Sequence, residues 1–167
     1  METLTTARIL QLFEEYWTSR RSFLVGLGLP ATNRDPLSEF SELLVLSLLG
    51  GTRAASRVQK GYDLIDDDGQ RVEVKYLANP SEGWVNEHQV IMTEDRDLYA
   101  LVIFEDLRPI SVIVFPRMLS AICAFLGKKH PGQETTLQLT RANYRRILSA
   151  SELPAGLRVF ALDAARS

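Results

Sequence analysis

The first apolar positions along the chain recur at helical spacing. Ile9, Leu12, Phe13, Tyr16 and Trp17 form one stripe, with Arg8, Glu14, Glu15, Arg20 and Arg21 elsewhere, which predicts a helix over residues 3–26. Gly26, Gly28 and Pro30 end it, and 27–35 reads as a loop. A second helix is expected to open near Asp35-Pro36, since proline suits a first helical turn, and to run through Leu37, Phe40, Leu43, Leu44, Leu46 and Leu48 to Gly50-Gly51. After the polar, basic stretch TRAASRVQKG the period changes to two. Tyr62–Ile65 and Gln70–Leu77 are short and β-prone around Asp67-Asp68-Gly69, the pattern of a hairpin. Residues 78–97 are polar apart from a short strand expected around Val90–Met92. Tyr99–Phe104 and Ile110–Phe115 are nearly continuous in apolar residues, as buried strands are. Pro116 is expected to open a helix through Phe125 that stops at Gly127. Thr136–Leu139 reads as a short strand, Arg141–Ala150 as a helix, and Leu157–Leu162 as a terminal strand or extended tail. The order of helix, helix, hairpin, two strands, helix and small elements gives a mixed α/β or α+β fold class.

The hairpin carries the chemistry. Along Arg71-Val72-Glu73-Val74-Lys75-Tyr76 the alternation is strict: Arg71, Glu73 and Lys75 share one face, Val72, Val74 and Tyr76 the other. Lysine is scarce, four residues among the 19 basic ones, so a lysine in mid-strand is notable. The turn decides where Asp63 falls. A two-residue Asp68-Gly69 turn would set Asp63 opposite Val74, on the apolar face. A three-residue loop of Asp67, Asp68 and Gly69 would pair Asp66 with Gln70 and set Asp63 opposite Glu73. Such loops favour glycine at their last position, where Gly69 stands.

Two carboxylates so placed suit Mg²⁺, a hard cation that takes oxygen ligands and keeps waters. The metal would activate a bound water and clamp phosphate oxygens, and Lys75 would hold the attacking water or stabilise transition-state charge. On the second helix Glu39 and Glu42 lie three residues apart, and one of them is expected to reach the metal or its water shell. Asp63-x9-Glu73-x-Lys75 at a strand–turn–strand, after a Glu-bearing helix, resembles the PD-(D/E)xK nuclease superfamily, the fold of many restriction endonucleases and junction resolvases. The run SEFSELLVLSLLGG…KGYDLIDDDGQRVEVK resembles its small restriction-endonuclease-like members, over roughly residues 36–115 and most strongly over 59–77. Tyr62 stands where the motif's name has proline, a position members often vary. The resemblance implies a restriction-endonuclease-like mixed sheet. It makes Asp63 and Glu73 the metal ligands, Lys75 the catalytic lysine and Glu42 (or Glu39) the helix carboxylate, with Mg²⁺ as cofactor and Mn²⁺ able to substitute. The bare pattern recurs by chance on the order of once per chain of this size. Its context discriminates: Glu73-Val74-Lys75 is the only (D/E)-x-K here, and both halves fall on expected strands.

Composition then narrows the function. A length of 167 residues suits a single nuclease-like domain over 1–167, with 1–35 as a helical extension. One cysteine, Cys123 in an apolar helical stretch, fits a buried thiol in a reducing cytoplasm. No apolar run reaches membrane-span length, so no membrane partner is expected. A net charge of −2 disfavours a protein that coats nucleic acid by bulk charge, without opposing a local basic groove. Arg53, Arg57 and Lys60 are candidate phosphate contacts, as is a ridge of Arg141, Arg145 and Arg146 with Asn143 and Tyr144. Asn86, His88 and Gln89, with Glu87, are candidate base-edge contacts in a recognition loop over 83–97, where related restriction enzymes carry groove-reading residues. Trp84 reads as a packing residue. The expected function is a Mg²⁺-dependent DNA endonuclease of restriction or defence type. It would act as a homodimer, since one chain has one site and two strands need two. The alternatives are a repair or recombination nuclease and a non-catalytic nuclease-fold binding protein.

Overall fold

The computed structural model describes residues 6–29, 36–55, 61–79, 84, 87–106, 108–128 and 134–162. The chain divides into two compact units, Met1–Phe40 and Ser41–Ser167, and the second helix runs through the division. The first unit holds helix α1 (Thr6–Gly26) and the start of α2 (Leu37–Leu49). Within it Leu24 and Leu29 are buried, and Phe23 packs at a tilt on Phe40 with ring centroids 5.9 Å apart. Ile9, Leu12, Phe13 and Tyr16 of the expected stripe are exposed. Among the described residues no helix is long and apolar enough to cross a membrane.

The second unit is mixed α/β, built on a six-stranded sheet. Its strands are β1 (Thr52–Arg53), β2 (Leu64–Ile65), β3 (Arg71–Asn79), β5 (Leu98–Glu105), β6 (Arg108–Pro116) and β8 (Arg158–Ala161). They lie in the order β1-β2-β3-β5-β6-β8, antiparallel throughout except for the parallel pair β3–β5. Two further strands, β4 (His88–Ile91) and β7 (Thr136–Leu139), form a separate antiparallel ribbon. Helices α3 (Ser120–Phe125) and α4 (Arg141–Leu148) complete the unit.

The long apolar runs become the sheet's centre. Seven of the eight residues of β5 are buried, as expected for a strand covered on both faces. On one face lie Leu64, Val72, Val74, Ala100, Val102, Val112 and Val114, all buried. The other face carries Leu77, Tyr99, Leu101, Ile103, Ile113 and Phe115, which join the largest core with side chains of the ribbon and of α3 and α4. Glu73 and Lys75 belong to this second face, since they stand beside Tyr99 and Leu101. The face expected to be polar is therefore apolar over most of its length. Its cover comes from residues 88–148, which the local alternation of β3 does not reveal.

Two local readings also shift. Pro116 ends β6 opposite Leu98 instead of opening a helix, and α3 starts four residues later; a strand terminus tolerates the missing N–H. The polar, basic stretch after Gly51 supplies the edge strand β1, an element its composition did not predict.

The β2–β3 turn takes the three-residue form. Leu64 pairs with Val72 and Ile65 with Arg71, and the Asp66 amide donates to the Gln70 carbonyl at 3.0 Å. Asp66 Oδ1 accepts from the amides of Asp68 and Gln70 at 3.1 and 2.8 Å, so the side chain braces the loop it opens. Gly69 closes it at φ 77°, with open space where a Cβ would stand. Gly51, at φ 95°, is different: a Cβ there would lie 2.0 Å from the Ile65 carbonyl oxygen. Gly69→Ala is accordingly expected to cost only the left-handed backbone penalty, about 1–2 kcal/mol. Gly51→Ala should cost clearly more, because the β1–β2 backbone must also move. Urea denaturation of both variants checks this, and equal losses would contradict the packing described.

Candidate active site

Each site residue is set by backbone contacts that the hairpin register supplies. Asp63 lies one residue before β2 and is pinned three times. Its amide donates to the Val72 carbonyl at 2.9 Å, its carbonyl accepts from the Ala54 amide at 2.8 Å, and its Oδ2 accepts from the Val74 amide at 2.7 Å. The carboxylate thus takes the place a further β2 residue would have along β3, between Glu73 and Lys75. The Asp63 carboxylate thereby hydrogen-bonds the edge of β3 at Val74.

Glu73 is 8% exposed, a buried carboxylate in mid-strand. Two cations compensate it. Lys75 Nζ ion-pairs with Glu73 Oε1, and Arg96 Nη2 stands 3.8 Å from Oε2. Lys75 is about half exposed, so its ammonium lies at the rim, whereas Arg96 is mostly buried. Arg96 Nη1 donates to the Ile91 carbonyl at 3.3 Å, and its guanidinium carbon lies 5.9 Å from the Tyr99 ring centroid. Arg96 Nε is buried without a hydrogen-bond partner among the described residues.

Tyr99 stands beside Glu73 across the parallel pair, and its hydroxyl meets His88 Nε2 at 2.6 Å. Burial first, then the carboxylates of Glu73 and Asp63, push the Tyr99 hydroxyl well above the usual phenol range, against the opposing Arg96. Burial, then the Lys75 ammonium, holds the His88 imidazole below its ordinary value. Both shifts favour the neutral form, and the hydrogen bond ties β4 to β5 beside Glu73. Glu73 thus has Lys75, Arg96 and Tyr99 as neighbours, and His88 joins them through the Tyr99 hydroxyl.

The other expected site residues are distributed differently. Glu42 is held by Arg53, which stands opposite Leu64 on β1. The same bond occupies Arg53, expected to contact phosphate. Among the described residues no group of three or more Asp, Glu, His or Cys side chains is placed to hold a metal ion. Glu39 falls in the first unit. His88 turns inward to Tyr99, while Gln89 beside it is exposed. Asn143 and Tyr144 are buried, the first donating to the Gln138 carbonyl at 2.9 Å and the second meeting Ser111 Oγ at 2.9 Å, so neither contributes to a solvent-facing ridge. Arg145 and Arg146 are exposed. Trp84 packs on the core, stacked on Tyr144 at 4.8 Å and donating to Glu105 at 3.2 Å. Cys123 is buried. Arg57, Lys60 and Asn86 lie outside the described residues.

Arg96 and Tyr99 were not anticipated. Arg96 sits in the polar run TEDRD, and Tyr99 looks like the first residue of an apolar strand. Only the alignment of β5 with β3 makes them neighbours of Glu73. The carboxylates of Asp63 and Glu73 are donors that suit a hard cation and not a soft metal.

The β3–β5 alignment is clamped at its start. Asp97 Oδ2 accepts from the Arg71 amide and Nε at 3.1 and 3.0 Å, its Oδ1 accepts from Arg71 Nη2 at 3.1 Å, and its own amide donates to the Arg71 carbonyl at 2.8 Å. Hydrogen bonds from Arg71 hold the Asp97 carboxyl down at about 2, from an ordinary 3.8. A carboxyl lowered on folding stabilises above its unfolded value and loses that contribution as pH falls toward the folded one. Between about pH 4 and about pH 2 the wild type should therefore lose stability more steeply than Asp97→Asn, in acid-unfolding profiles read by circular dichroism. Superimposable profiles would show that the clamp carries no such linkage. No protein-family model matches the chain, and no curated protein matches it at a significant level.

Proposed function

We propose that the protein is a Mg²⁺-dependent DNA endonuclease with a restriction-endonuclease-like fold. The observation that carries this reading is the hydrogen bond the Asp63 carboxylate accepts from the Val74 amide, between Glu73 and Lys75, whose side chains are ion-paired with each other. Asp63 and Glu73 would hold the metal, with water in the remaining positions. When bound, Mg²⁺ supplies a water of lowered pKa and neutralises charge at the scissile phosphate. Lys75, at the rim and already facing Glu73, donates to a non-bridging phosphate oxygen or orients the attacking water. Hydrolysis would form one bond from a water oxygen to phosphorus and break one P–O ester bond, the departing oxygen taking up a proton. Arg96 fixes Glu73 from the buried side and so limits where its carboxylate can point. A homodimer would bring two such sites to the two strands of a duplex.

One observation favours a second reading, a nuclease-fold binding protein that does not cut. Glu73 is already paired with two cations of the chain, and Glu42 is drawn away to Arg53. Cleavage assays separate the two. Purified protein with Mg²⁺ is expected to cut plasmid DNA, and Lys75→Ala, Asp63→Asn and Glu73→Gln should each lower the rate by about 10³-fold or more. Inactivity of the wild type on supercoiled, linear, single-stranded and branched DNA with either Mg²⁺ or Mn²⁺ would overturn the enzymatic reading. Undiminished cutting by Lys75→Ala would overturn the assignment of the site.

A further inference from the structure

The β4–β7 ribbon has two unlike faces. Val90, Leu137 and Leu139 are buried in the main core, and His88 reaches inward to Tyr99. On the other face Gln89 and Gln138 are exposed and stand directly opposite one another in the antiparallel register. Ile91 is 44% exposed on the same face, opposite Thr136. Side chains directly opposite in such a pair lie about 5 Å apart, so the two amides form a single patch. Gln138 Nε2 donates to Glu87 Oε2 at 3.0 Å, which orients one of them.

We infer that this outer face reads base edges in the major groove of a DNA duplex, with Gln89 and Gln138 as the sequence-selecting side chains. The inference rests on the nuclease reading for its biological sense, but not for its geometry. A two-stranded ribbon is one of the two elements the major groove admits, and glutamine amides match the donor and acceptor that adenine presents there. The exposed Ile91 suits the thymine methyl group, which makes A·T pairs the expected target. Phosphate contacts are at hand. Strand β7 runs through Thr140, which caps the helix, directly into α4, whose Arg141 and exposed Arg145 flank the ribbon in sequence. The ribbon is also fixed relative to the cluster at Glu73, because His88 bonds Tyr99 from its inner face. Gln138 and Ile91 thereby join Gln89, while His88 becomes a positioning residue that docks the ribbon.

Selection of bound duplexes from a randomised pool tests this without any cleavage, using the full chain in Ca²⁺. The wild type is expected to enrich a sequence containing A·T pairs. Gln89→Ala and Gln138→Ala, each shown by circular dichroism to fold as the wild type does, should each relax one selected A·T position by about 10-fold or more. Arg145→Ala should weaken binding to all sequences and leave the selected sequence unchanged. If both glutamine variants select the wild-type sequence, or the wild type binds no duplex or binds without selecting, the inference is overturned. Failure of plasmid cleavage beside an intact selection would fall instead on the catalytic reading.

Discussion

The parallel pairing of β3 with β5 is the constraint on which the rest of the second unit depends. It places the first residues of β5 beside the Glu-x-Lys segment, so that Tyr99 adjoins Glu73 and Leu101 adjoins Lys75. Parallel neighbours need a long crossover, here 80–97, and that crossover delivers both β4 and Arg96 to the same end of the sheet. The Arg71–Asp97 clamp sets the register at its first rung. A one-residue slip would turn Glu73 and Lys75 to the other face and bring Val72 and Val74 into the site.

A buried carboxylate needs compensation, and this need organises the site. Glu73 has Lys75 on the solvent side and Arg96 on the buried side. Removing one partner of a buried ion pair costs several kcal/mol, on the order of 3–5, because a charge is left without compensation. The two cations differ in what they can do. Arg96 is enclosed by the Ile91 carbonyl, the Tyr99 ring and Glu73, and its planar guanidinium suits a fixed structural contact. Lys75 is on a flexible stem at the rim, and can exchange Glu73 for another anion. The His88–Tyr99 hydrogen bond adds a polar tie between ribbon and sheet beside the apolar core.

Much of this was legible in the sequence because it is local. The three-residue turn followed from Gly69, whose place at the end of the loop calls for a positive φ, while the Asp66 side chain that braces it is seen only in the structure. That turn fixed the register of Leu64 on Val72 and Ile65 on Arg71. The buried strands β5 and β6 announced themselves as unbroken apolar runs. Arg96 and Tyr99 were not legible, since their roles come from a strand pairing across some two dozen residues. Nor was the Glu42–Arg53 bond, which pairs an expected metal ligand with an expected phosphate contact.

The sequence by itself determined the hairpin and its turn, the strict alternation that puts Glu73 and Lys75 on one side of β3, and the helical and strand periods of the remaining elements. These are consequences of backbone sterics and of side-chain periods of two and 3.6, which act over a few residues. Only the tertiary structure decided what covers the Glu73 face, which cation meets that carboxylate from within, and which side of the ribbon carries its paired glutamines outward. Those outcomes depend on contacts between segments far apart in the chain, where burial of apolar surface, and not local propensity, selects the arrangement.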